Sequence, residues 1–74
     1  MKDELKFLLK LTNDQMRILG YSSKLDKSKK MNLNIDNAKL CSVFNKKTLF
    51  WHTIVICENI DTKLKIINLV NSIK

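Results

Sequence analysis

The chain has 74 residues, a formal net charge of +7 and 45% hydrophobic residues. A chain this short buries only about 60–65% of its unfolded surface, so one small domain, 1–74, with a modest core is expected. The apolar fraction excludes a disordered chain. The longest apolar stretch, Leu49 to Cys57, is about half of what a membrane-spanning helix needs and is interrupted by His52.

Residues 3–11 predict a helix. Leu5, Leu8 and Leu9 recur at helical spacing, and Asp3 and Glu4 sit where a helix N-terminus favours acids. Thr12-Asn13-Asp14-Gln15 then matches a capping box, with Leu11 and Met16 placed for a hydrophobic staple across it. A second helix is expected from Asn13 to Leu19, ended by Gly20 in a left-handed position. Residues 21–32 are polar, rich in Ser and Lys, and read as an exposed loop or frayed helix.

Residues 33–47 are ambiguous. Asn32 to Ile35 alternates as a half-buried strand does. Asp36 followed by Ala38, Leu40, Cys41 and Phe44 also fits a capped amphipathic helix. The favoured reading is a hairpin: Lys39 to Phe44, a turn at Asn45-Lys46-Lys47, and Thr48 to Cys57. The last of these segments, TLFWHTIVIC, is the clearest strand and is apolar on both faces, so it should be central or covered. Residues 61–73 predict a final helix capped by Asp61, with Lys65, Asn68 and Ser72 as its solvent stripe. The expected fold class is α+β, with two N-terminal helices, a small antiparallel sheet and a C-terminal helix packed on it; the alternative is mostly α.

The charge is unevenly placed. Residues 24–47 hold seven lysines against Asp26 and Asp36, a net +5, whereas residues 48–60 hold no lysine. Lys, Asn and Ile, all encoded by AT-rich codons, make up 29 of the 74 residues, so composition alone explains part of the total. It explains the clustering less well. A basic cluster points to a polyanionic partner. Lysine binds phosphate as a point charge, whereas bidentate reading of guanine favours arginine.

Other constellations are weaker. Gln15 to Ser22 looks like the front half of a helix-turn-helix, but Asp26 and Lys29 fall where the recognition helix should be apolar. Tyr21, Phe44, Phe50 and Trp51 are candidate base-stacking rings, and Phe50 and Trp51 should point to opposite faces of a strand. Cys41, His52 and Cys57 are too few and poorly spaced for zinc, and no cofactor is expected. Two thiols without a CxxC indicate a reduced, intracellular protein, and the acidic N-terminus does not read as a secretory signal.

The expected order of helix, three strands and helix resembles that of double-stranded-RNA-binding domains and of some small RNase toxins. The toxin likeness implies His52 as a proton carrier. The RNA-binding likeness implies a lysine-rich start to the last helix, which Thr62-Lys63-Leu64-Lys65 approximates. The leading expectation is a non-enzymatic nucleic-acid-binding protein contacting phosphates through Lys24, Lys27, Lys29, Lys30, Lys46 and Lys47. The alternative is an inhibitor or adaptor that engages an acidic protein surface. No membrane partner is expected, and a homodimer stays open.

Overall fold

In a computed structural model, which describes residues 4–21 and 24–72, the first element is a strand, β1 (Leu5–Leu11), and not the expected helix. Its inward positions are Leu5, Phe7, Leu9 and Leu11, and its outward ones are Lys6, Leu8 and Lys10. Only Leu8 breaks that alternation, and with Leu9 it mimics a helical spacing. Pairing decides between the two readings. β1 runs antiparallel to β4 (Phe50–Cys57) over seven residue pairs, from Leu5 opposite Cys57 to Leu11 opposite Trp51. The ladder and its cross-strand contacts outweigh the local propensity.

The capping box follows at once. Thr12 Oγ1 accepts the Gln15 N–H at 3.2 Å, and Gln15 Oε1 accepts the Thr12 N–H at 2.9 Å. They open α1 (Asn13–Leu19), which Gly20 closes at φ 114°. Leu11 and Met16, the residues flanking the cap, are both in the buried core. Residues 24–30 make no second helix; they are turns, bends and irregular chain. The two N-terminal helices are therefore corrected to a strand and one helix, the mostly α alternative falls, and helix-turn-helix docking falls with it. The resemblance to double-stranded-RNA-binding domains rested on an N-terminal helix before the sheet, and β1 removes that match.

β2 (Met31–Ile35) and β3 (Ala38–Asn45) form a hairpin about Asp36-Asn37. A second hairpin joins β3 to β4 through residues 46–49. The sheet order is β1-β4-β3-β2, antiparallel throughout, so β4 is interior as its apolar composition requires. The last helix, α2, runs Ile60–Asn71 and is capped by Asn59, whose side chain accepts the Thr62 N–H at 2.9 Å. Asn59 takes the capping role expected of Asp61, which lies in the first turn instead. Lys65, Asn68 and Ser72 are exposed as expected, but so is half of Leu64, so the buried stripe is narrower and centres on Thr62, Ile66 and Val70.

Both helices cover one face of the sheet. Trp51, Val55, Leu40 and Ile66 meet there with essentially no exposure. Gln15 ties the layers together: its Nε2 donates to the Val70 carbonyl at 3.0 Å, satisfying one of the orphan acceptors at the end of α2. Trp51 Nε1 donates to Asn13 Oδ1 at 2.7 Å, fixing the start of α1 over the sheet.

A polar chain crosses this core. Tyr21 Oη and Ser42 Oγ are 2.9 Å apart, Ser42 Oγ and Thr53 Oγ1 are 2.7 Å apart, and Thr53 Oγ1 donates to Met16 Sδ at 3.9 Å. Burial raises the Tyr21 pKa above its ordinary value of 10.0, and the Ser42 hydrogen bond opposes this by less. The fold thus favours the neutral phenol. That contribution is complete below about pH 10 and is lost as pH rises through the raised value. Tyr21 is the one tyrosine, so tyrosinate absorbance reads it directly. Its midpoint should lie above 10 in the folded protein and return to about 10 in urea; a folded midpoint at or below the urea value contradicts this burial account.

Candidate nucleic-acid interface

Four of the six candidate lysines lie on the 24–30 segment, and two on the β3–β4 turn. The turn is organised by Asn45. Its Oδ1 accepts the N–H groups of Lys47 at 2.8 Å and Thr48 at 3.1 Å, and its carbonyl accepts the Leu49 N–H at 2.8 Å. This arrangement leaves Lys46 and Lys47 exposed on the tip. It also holds Leu49, 71% exposed, in a left-handed conformation at φ 64°, which is costly for a branched residue.

The 24–30 segment reaches the same end of the sheet. β2 starts at Met31 opposite Ser42, so the residues before it lie beside the last part of β3. Lys27 Nζ sits over the Phe44 ring at 4.7 Å from its centre, one residue before the Asn45 that caps the turn. Asp26 shapes the segment by accepting from the Ser28 N–H at 2.9 Å and the Ser28 hydroxyl at 2.5 Å. Those bonds hold the Asp26 carboxyl below its ordinary pKa. Lys29 lies 4.0 Å from Asp26, an exposed pair that holds it only weakly. Lys24 and Lys30 are exposed.

The two halves of the molecule therefore differ in charge. Among the described residues, the half containing α1, the 24–30 segment and the β3–β4 turn carries Lys10, Arg17 and the six candidate lysines against Asp14 and Asp26. Asp14 is engaged with Arg17 at 3.4 Å. The other half holds the β2–β3 turn and the start of α2. There Glu4, Asp36, Glu58 and Asp61 balance Lys6, Lys39, Lys63 and Lys65, with Lys65 and Asp36 paired at 2.7 Å. The excess positive charge of the described residues is thus confined to one end.

The rings do not form a stacking platform. Tyr21 and Trp51 are buried, and Phe44 is held edge-on to Trp51, centres 5.4 Å apart, beneath Lys27. Only Phe50, 39% exposed, offers a surface, and it points away from Trp51 as expected for strand neighbours. His52 contacts Thr48 Oγ1 through Nε2 at 3.2 Å, and its cross-strand neighbours are Lys10 and Val43. Cys41 and His52 lie on the open face of the sheet and Cys57 on the covered face, so the three do not converge. Among the described residues no group of His, Cys, Asp and Glu is placed to hold a metal ion. None of their helices is long and apolar enough to cross a membrane.

These features define a basic, two-layer α+β domain with its positive charge gathered at one end. No protein-family model matches the sequence, and no curated protein or solved structure is significantly similar to it.

The turn expected at Asn45-Lys46-Lys47 is present but spans 46–49, with Asn45 ending β3 and capping it through its side chain. An Asn followed by two lysines between two strand-forming runs is a legible turn signal, because an Asx side chain caps N–H groups two and three residues on.

Proposed function

We propose that this chain is a non-enzymatic protein that binds the phosphate backbone of nucleic acid inside the cell, through Lys24, Lys27, Lys29, Lys30, Lys46 and Lys47. The observation that supports it best is the charge division: two segments separate in sequence bring their lysines to one end, while the acids of the other end are balanced. Exposed lysine ammonium groups suit contacts to backbone phosphates. They carry little capacity for base readout. Free thiols at Cys41 and Cys57 agree with a reducing compartment.

Affinity for a duplex should fall steeply with salt. Neutralising about five phosphates gives a slope of log K against log salt of roughly −4 to −5, or a loss of roughly 10²–10³ between 50 and 200 mM salt. Fluorescence anisotropy with a labelled oligonucleotide measures it. Absence of binding at about 50 mM salt, or a flat salt dependence, would reject the reading.

A further inference from the structure

The helices cover one face of the sheet and leave the other open. Of the eight large hydrophobic side chains exposed among the described residues, four lie on that open face: Leu8, Val43, Phe50 and Ile54. The register sets them in a pattern. Leu8, Ile54 and Cys41 form one row across β1, β4 and β3. Ile56 lies beyond Ile54 on β4, between Lys6 of β1 and Lys39 of β3. Val43 lies on the other side, in the row of His52 and Lys10. Asn32 and Asn34 of β2 complete the margin. A shallow groove of about 420 Å³ runs here, with Lys6, Asn34, Lys39, Cys41, Ile54 and Ile56 among its lining residues.

We propose that this open face docks an amphipathic helix of a partner protein, its apolar stripe on Leu8, Ile54, Cys41 and Ile56 and its acidic rim against Lys6, Lys10 and Lys39. Charge complementarity selects this occupant. The outward positions of the four strands include three lysines and no acid. A second copy would bring lysines against lysines, in a chain that already carries +7. A single-stranded nucleic acid would need rings to stack on, whereas the centre is aliphatic and Phe50 stands at its margin. The dimensions also fit. Four strands about 4.8 Å apart make a platform about 14 Å wide, enough for a helix about 10 Å across. The same sheet already carries a helix of 12 residues, α2, on its other side. Apolar centre and charged rim are the ordinary anatomy of a helix-docking groove. Lys10 borders both surfaces, but the six lysines of the 24–30 segment and the β3–β4 turn are not among the outward strand positions of this face, so the two proposals are tested on different residues.

A labelled probe helix tests it, with Leu at every third and fourth position and Glu elsewhere, beside a twin in which Lys replaces each Glu. The acidic probe should bind and shift the amide resonances of residues 6–10, 39–43 and 52–56. Binding should weaken at least tenfold for the Lys twin, for Ile54→Lys and for the pair Lys6→Glu and Lys39→Glu, with circular dichroism unchanged. Leu8→Lys, at a more exposed edge position, serves if Ile54→Lys disturbs the fold. Lys46→Glu should leave probe binding unchanged. The proposal is overturned by equal binding of both probes, or by acidic-probe shifts confined to other residues or absent. It is also overturned by a dimer in sedimentation that Leu8→Lys abolishes, or by an unpaired oligonucleotide that shifts these amides and displaces the probe.

Discussion

The double variant Lys46→Glu/Lys47→Glu should bind a nucleic-acid duplex about 10²-fold more weakly than the parent at about 100 mM salt, with its salt slope reduced by about 2. Both side chains are exposed on the turn, and the Asn45 bonds that shape it use backbone N–H groups. The fold should therefore keep its stability within about 0.5 kcal/mol. The informative control is Lys63→Glu/Lys65→Glu, which changes net charge by the same amount in the balanced half of the molecule. Lys63 lies over Phe7 at 5.2 Å and Lys65 pairs with Asp36. If placement matters, this control should lower affinity only a fewfold. If the lysines merely reflect composition, both variants should weaken binding equally. Titrations of the two proteins against one labelled duplex decide between these outcomes.

Ser42→Ala should be the most damaging conservative change in the core, costing about 2–4 kcal/mol. Ser42 is fully buried, and its hydroxyl bridges those of Tyr21 and Thr53. Removing it deprives two buried groups of a partner at once, each worth about 1–3 kcal/mol when left unsatisfied. Tyr21→Phe removes only one end of the chain and should cost about 1–2 kcal/mol. The double variant should be less destabilised than the sum, by about 1 kcal/mol, because the Tyr21 hydroxyl is no longer stranded. Urea denaturation of the four proteins measures the cycle. Additive losses, or a Ser42→Ala cost under about 0.5 kcal/mol, would mean the three hydroxyls do not act as a chain.

Residues with a local physical signature were legible in the sequence. The Thr12–Gln15 box and Gly20 define α1 because capping bonds span only a few residues. Within TLFWHTIVIC, Phe50 to Cys57 reads as an interior strand because β-branched and aromatic residues crowd it, whereas Thr48 and Leu49, expected in the strand, belong to the turn. The first element was misread because Leu8, an outward residue on the open face, completes a helical pattern that the alternation of Lys6 and Lys10 contradicts. What settles it is pairing with residues forty or more positions away, which no local window contains. The lysine cluster was visible as composition, but its convergence was not. It depends on Lys27 crossing to Phe44 and on β2 entering the sheet opposite Ser42, both non-local contacts. The open face was hidden for the same reason: Leu8, Cys41, Val43 and Ile54 come together only once the strand order is known.

Phosphate should be held at the lysine-rich end and nowhere else on the molecule. Amide chemical-shift mapping during titration with a short duplex tests it most directly. The largest shifts should fall on residues 24–30 and 45–50, moving together along one binding curve. Shifts centred on the β2–β3 turn and the start of α2, or spread evenly over every lysine, would contradict it.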